Sequence, residues 1–172
     1  MAQKKAVLII AKEIFRDEEL FDTQKALEEE GVTTTIASSI VGTCKGKLGK
    51  DAQSTILVND LSADDYDAIV FVGGNGAMQY YDDPAALNLA TQANQKNKVL
   101  AAICIAPRIL ANAGLLEGKT ATCYVSESEA IQQLGAKYTG NDVEQDGKII
   151  TANGPHASYD FGKKIAKELN KN

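Results

Sequence analysis

The chain of 172 residues is 44% hydrophobic and 24% charged, which predicts one globular domain over 1–172 with a sizeable core. Its net charge of −5 and the lack of a basic stripe exclude nucleic acid as the main partner. The apolar run after Met1-Ala2-Gln3-Lys4-Lys5 is too short for a signal-peptide core or a membrane span, so the expectation is a cytoplasmic protein with no membrane association.

In chain order, Ala6–Ala11 is a continuous apolar run and predicts a strand buried on both faces. A polar loop follows from Lys12 to Arg16. Asp17 is placed to cap a helix whose apolar residues Leu20, Phe21 and Leu27 recur at helical spacing, and Gly31 ends it. Thr33–Ala37, rich in β-branched residues, predicts the next strand. Gly42–Gly49 is punctuated by glycine and predicts a surface hairpin; Gly46-Lys47 lacks the spacing of a phosphate loop. Ser54–Val58 predicts a strand and Ser62–Tyr66 a capped helical turn. Ala68–Val72 is a buried strand ending on Gly73-Gly74-Asn75-Gly76, and Pro84 starts a helix to about Asn97.

The run from Lys98 to Ile103 predicts a buried strand that meets Cys104, and a helix follows at once through Arg108-Ile109-Leu110-Ala111 to Gly114. This is the layout of a nucleophile elbow, in which the positions two before and two after the nucleophile must be small; here they are Ala102 and Ala106. Pro107 fits the first helical turn, where its missing N–H costs nothing, and a thiol at a helix N-terminus is biased towards thiolate. The alternative is that Cys104 is a small buried apolar residue. Lys119–Cys123 predicts another strand, Ser126–Leu134 a helix capped by Ser126, Val143–Ile149 an Asp-Gly hairpin turn and Ile149–Ala152 the last strand. Asn153-Gly154-Pro155 breaks that strand before a final helix to about Leu169; its Lys163, Lys164, Lys167 and Lys171, interleaved with Asp160 and Glu168, read as a solvated face.

Strands that are continuous apolar runs alternating with helices predict an α/β fold with a mostly parallel sheet, whose ligands bind beyond the carboxyl ends of the strands. Four loops meet on that edge: Lys12–Glu19 with carboxylates, Gly73–Gly76 with backbone N–H groups free of side chains, Cys104–Pro107 with a thiol, and Asn153–His156 with the only imidazole. A fifth loop brings Cys123 and Tyr124. Three cysteines, Cys44, Cys104 and Cys123, form neither a disulfide framework nor a zinc spacing, and one histidine excludes a multi-histidine metal site. Flavin binding would need phosphate-binding glycines after the first strand, which Lys12-Glu13-Ile14-Phe15-Arg16 lacks, so no cofactor or metal is expected.

Nearly the whole chain resembles the ThiJ/PfpI superfamily, which includes the parkinsonism-associated protein deglycase and the PfpI-type intracellular proteases. The resemblance is carried by Val7–Ala11 with Asp17-Glu18-Glu19-Leu20, Tyr66–Val70 with Gly73-Gly74-Asn75, Ala102-Ile103-Cys104 with Ala106-Pro107, Leu110–Lys119, and Asp146–Thr151 with Gly154-Pro155. It implies a flavodoxin-like three-layer sandwich, a homodimer or higher homo-oligomer, a reactive cysteine at Cys104, and a hydrogen-bonding carboxylic acid at Glu19, with Glu18 the neighbouring alternative. It also implies backbone donors at Gly74 and Ile105, beside Gly73.

The chain departs from that pattern where PfpI-type proteases have a histidine directly after the cysteine; Ile105 cannot act as a base, which argues against a Cys-His peptidase. The deglycase branch carries a histidine where this chain has Cys123, an arginine where it has Asn153, and a glycine where it has His156. Two placements of His156 follow: in the Cys104 pocket as a substitute acid/base, or in the first turn of the last helix, half exposed. Cys123 could likewise pair with Cys104 or be a buried strand-end residue. The function that the resemblance implies is cysteine-dependent chemistry on a small carbonyl substrate such as methylglyoxal, with Cys104, Glu19 and His156 as catalytic candidates. The alternatives are redox sensing through Cys104 oxidation and peptidase or amidase activity.

Overall fold

The computed structural model describes residues 2–171. Its strands are β1 (Lys5–Ile9), β2 (Glu13–Phe15), β3 (Thr33–Ser38), β4 (Gly42–Gly46), β5 (Asp51–Ser54), β6 (Ile56–Leu57), β7 (Ala68–Phe71), β8 (Val99–Ile103), β9 (Thr120–Ala121), β10 (Lys137–Tyr138), β11 (Val143–Asp146) and β12 (Ile149–Ala152). Its α-helices are α1 (Asp17–Glu29), α2 (Pro84–Gln95), α3 (Pro107–Asn112), α4 (Ser128–Gln133) and α5 (Ser158–Leu169).

Seven strands form the central sheet in the order β11-β12-β8-β7-β1-β3-β6. All its pairings are parallel except β11 with β12, the Asp-Gly hairpin. Because successive side chains of a strand point to opposite faces, β1 feeds two cores. Ala6, Leu8 and Ile10 face the layer holding Leu20 and Leu27 of α1 and Phe161, Ile165 and Leu169 of α5. Val7 and Ile9 face the layer holding Leu89 of α2, Ile109 and Leu110 of α3 and Ile131 of α4. This is the three-layer α/β arrangement that the continuous apolar runs require.

The chain leaves β1 to one side through α1 and β3, and later returns to β1's other side as β7. The carboxyl ends of β1 and β7 therefore flank the point where strand order reverses, the place where an open parallel sheet leaves a crevice.

Several expectations are corrected. The Lys12–Arg16 loop contains β2, which pairs with β4, so a small second sheet (β2-β4-β5) overhangs the carboxyl edge. Asp17 is the first residue inside α1 rather than its cap. It is buried, and its carboxylate accepts from the N–H groups of Leu48 (2.8 Å) and Lys50 (2.9 Å) in the β4–β5 turn. The expected strand over Ser54–Val58 is only β6 at Ile56–Leu57, and that over Lys119–Cys123 only β9, which pairs with β10 outside the central sheet. Ser126 lies in a 3₁₀ turn, and α4 starts at Ser128.

Helices α1 and α5 pack at very close range. A β-carbon on Gly162 would stand 2.7 Å from both the Ala26 Cβ and the Thr23 carbonyl oxygen, so this glycine sets the spacing. Gly162→Val should force α1 away from α5 and destabilise the fold by about 1–3 kcal/mol, read as a lower urea midpoint; an unchanged midpoint would show that the helices separate freely.

Candidate active site

Strand β8 is buried throughout and delivers Cys104 into a turn with φ +66°, the left-handed region that non-glycine residues rarely enter. The turn is tied on several sides. The Cys104 N–H donates to the Ala152 carbonyl (2.9 Å), its carbonyl accepts from the Tyr124 N–H (2.7 Å), and the Ala106 N–H donates back to Ile103 (3.1 Å). Ala102 and Ala106 are fully buried, and Pro107 opens α3, as the strand-to-helix layout predicted. Behind the turn, the Tyr81 hydroxyl donates to the Ile105 carbonyl (3.3 Å), Asn112 Nδ2 donates to the Tyr81 carbonyl (2.8 Å), and Arg108 lies over the Tyr81 ring. That network holds the Ile105 carbonyl, and on the other side of the same residue the Ile105 N–H faces the thiol.

Glu19 comes from the first turn of α1, whose start is set by the Arg16 N–H donating to Gly73 (3.0 Å). It is 0% exposed, and its Oε2 accepts from the Gly73 N–H (2.9 Å). Its Oε1 has no hydrogen-bond partner, while the carboxyl group lies against the Cys104 thiol. Burial pushes Glu19 up to about 7, against the lowering effects of the Cys104 thiol and the Gly73 N–H. Burial also pushes the Cys104 thiol up, and the Glu19 charge adds to this; the N–H groups of Gly74 and Ile105 pull it down. Two groups this close do not both ionise near neutrality, so they titrate as a pair carrying at most one negative charge.

The two glycines differ in role. Gly73 turns its N–H to Glu19 rather than to a ligand, which corrects its placement among the substrate donors. A β-carbon there would lie 2.4 Å from Glu19 Oε2 and 2.6 Å from the Cys104 Cβ. Gly74 has φ +96°, and a β-carbon on it would meet the Arg16 nitrogen at 2.4 Å and the Ile14 oxygen at 2.5 Å.

Above Cys104 lies a cavity of about 330 Å³. Glu19 and Cys104 form its floor with Gly74 and Ile105, and Arg16, Lys47, Asn75, Met78, Tyr124, Ser126 and Pro155 complete it. Arg16 and Lys47 escaped the sequence reading because the signal for them is tertiary: the small second sheet carries the Lys47 turn to the cavity. His156 is not among these residues, and its expected place in the Cys104 pocket is corrected. Its side chain is 63% exposed and pairs with Asp142 at 3.1 Å, because the Pro155–Ala157 3₁₀ turn points it away from Cys104. It borders a neighbouring cavity with Cys123, Asn153 and Tyr138. Cys104, Cys123 and Cys44 are all free thiols, so no Cys104–Cys123 bond is present.

The DJ-1/PfpI family profile matches residues 4–168. The chain belongs to the DJ-1/PfpI family. It is 39% identical to an uncharacterized protein of Methanocaldococcus jannaschii, over 100% of this chain and 85% of that one. It is 28% identical to Deglycase PfpI of Pyrococcus furiosus, over 95% of this chain and 98% of that protein. Among solved structures, the ThiJ/PfpI domain protein of Brachyspira murdochii superposes with a TM-score of 0.95 at 32% identity, covering 98% of each chain. Membership in the DJ-1/PfpI family agrees with the three-layer fold. No helix among the described residues is long and apolar enough to cross a membrane.

The Glu19 shift has a stability consequence. Its folded-state value, about 7, lies above the ordinary 4.5, so the native state holds a proton there that the unfolded chain has released. The stability that Glu19 contributes is therefore complete below pH 4.5 and is lost as pH rises through 7. Glu19→Gln removes this dependence. Urea unfolding should show the variant gaining on wild type by about 3 kcal/mol between pH 4 and 8; a gap that does not change with pH would mean that Glu19 titrates in the folded chain as it does in the unfolded one.

Proposed function

We propose that this protein is a cysteine-dependent enzyme of the glyoxalase or deglycase type, acting on small reactive carbonyl compounds. The observation that carries the reading is the constellation at the cavity floor: Cys104 held in a strained strand-to-helix turn, two backbone N–H groups facing its sulfur, and a buried carboxyl group beside it with one oxygen unpartnered. The relatives named deglycases support the substrate class.

For methylglyoxal the chemistry balances with one water. With the single negative charge of the pair on sulfur, Cys104 Sγ bonds to the aldehyde carbon, the C=O π bond opens, and its oxygen takes the proton of the neutral Glu19 carboxyl group to give a hemithioacetal. The Gly74 and Ile105 N–H groups hold the developing oxyanion. The Glu19 carboxylate so formed takes the proton from the former aldehyde carbon and returns it to the neighbouring carbon, while the proton on the first oxygen passes to the ketone oxygen, which leaves a thioester of lactate. Water hydrolyses that ester, and the thiol is restored with lactate as product. Release of an early glycation adduct uses the same nucleophile and donors.

A redox role is the second reading, and the free Glu19 Oε1 favours it. A protonated carboxyl at that position donates to an oxidised sulfur and stabilises sulfinate. A Cys-His peptidase is not supported, since Ile105 follows the cysteine and the His156 imidazole faces Asp142.

The test is methylglyoxal loss with lactate formed, measured on folded wild type and variants. Cys104→Ser should lose activity by roughly 10³-fold or more, and Glu19→Gln by about 10²–10⁴-fold. His156→Ala should stay within about twofold of wild type, since its ring is turned away from the cavity. An inactive wild type whose Cys104 is alkylated rapidly at neutral pH would shift the assignment to redox sensing. Slow alkylation with no turnover would make Cys104 structural.

A further inference from the structure

Beyond its floor, the cavity has a feature that a neutral three-carbon substrate does not use. Lys47 stands on its wall on a turn whose backbone is fixed with unusual thoroughness. The Lys47 N–H donates to the Phe15 carbonyl (2.9 Å), the Gly46 N–H to the Lys50 carbonyl (2.8 Å), and the Gly49 N–H to the Gly46 carbonyl (3.1 Å). The N–H groups on either side, from Leu48 and Lys50, both go to the buried Asp17 carboxylate. Gly46 is required there, since a β-carbon would lie 2.5 Å from Asp17 Oδ1. The turn is thus anchored two residues from Glu19.

The neighbouring cations are occupied. Lys45 pairs with Asp51 at 2.9 Å, Lys50 lies over the Phe21 ring, and Arg16 donates to both oxygens of Glu18 at 2.8 and 3.2 Å. Lys47 makes no ion pair among the described residues. The only carboxylate lining the cavity is Glu19, at its floor. In a chain of net charge −5, this leaves one cation without an ion-pair partner among the described residues on a concave wall, where field lines are focused. The cavity, about 330 Å³, also has the size of a pocket for a ligand well above three carbons.

We propose that Lys47 makes the Cys104 cavity a receptor for carbonyl substrates that carry an anionic group, specifically 2-oxoaldehydes ending in a carboxylate. This rests on the carbonyl reading above and names its substrate class. The reaction is unchanged: the 2-oxoaldehyde and one water give a 2-hydroxy acid through the Cys104 adduct, while the distal carboxylate stays ionised beside Lys47. Arg16, masked by Glu18, is the reserve cation.

Two measurements separate this inference from the reading beneath it. The first compares alkylation of Cys104 by iodoacetate and iodoacetamide, in which the thiolate displaces iodide from an anionic or a neutral reagent of similar size. The iodoacetate-to-iodoacetamide rate ratio should fall about fivefold in Lys47→Met, return in Lys47→Arg, and rise in Glu18→Gln, which releases Arg16. It should also shrink in wild type as salt rises. A ratio unchanged in Lys47→Met overturns the proposal. The second compares kcat/KM for 4,5-dioxopentanoate and methylglyoxal, with the ratio of anionic to neutral substrate falling by a similar factor in Lys47→Met. Turnover of methylglyoxal with no change in that ratio would remove the role of Lys47 and leave the carbonyl reading intact. The expected alkylation pattern with no turnover of either substrate would remove the carbonyl reading and leave the anion receptor. A thiol that reacts with neither reagent overturns both.

Discussion

The site depends on the close approach of three chain segments at Gly73. The end of β7, the first turn of α1 and the turn after β8 converge there more tightly than any side chain would allow. A single added carbon would strike both the Glu19 carboxylate and the Cys104 side chain. The Gly73 N–H then satisfies one oxygen of Glu19, and its carbonyl accepts from Arg16 at the start of α1. One glycine therefore places the acid, aligns its helix and leaves space for the thiol.

This approach creates the electrostatic tension on which the proposed chemistry rests. Glu19 is fully buried, Cys104 is nearly so, and the two face each other, so each suppresses the charge of the other. Gly74 and Ile105 supply fixed donors that favour negative charge on sulfur or on an oxyanion, and these donors need no reorganisation during reaction. The strained φ of Cys104 is held by hydrogen bonds to β12 and Tyr124, so the central sheet sustains the conformation that exposes the sulfur to the cavity.

Asp17 extends the same logic outward. A first-turn carboxylate would ordinarily favour its own helix dipole and face solvent. Here it is buried and binds two N–H groups of the β4–β5 turn, which attaches the small second sheet to the active edge. Adjacent acids of α1 thus do separate work: Asp17 holds the wall, Glu18 neutralises Arg16, and Glu19 faces the thiol.

The α/β fold with a mostly parallel sheet was legible in the sequence, because Ala6–Ala11, Ala68–Val72 and Val99–Ile103 are continuous apolar runs of the kind that a sheet covered on both faces buries, and its three layers came through the resemblance. Cys104 was legible too, since small residues at Ala102 and Ala106 and Pro107 after them describe a local turn. Glu19 was legible only through resemblance, because a first-turn acid is normally solvated and nothing local marks it as buried. For His156 the sequence left two placements open, because nearness to Cys104 in topology does not set a side chain's direction, which the 3₁₀ turn and Asp142 decide. Arg16 and Lys47 became part of the cavity only through β2–β4 pairing and the Asp17 anchor. Hydrophobic periodicity and turn chemistry are local and can be read along the chain. Which polar side chains face one another depends on burial and on contacts between distant segments, and those exist only once the chain has folded.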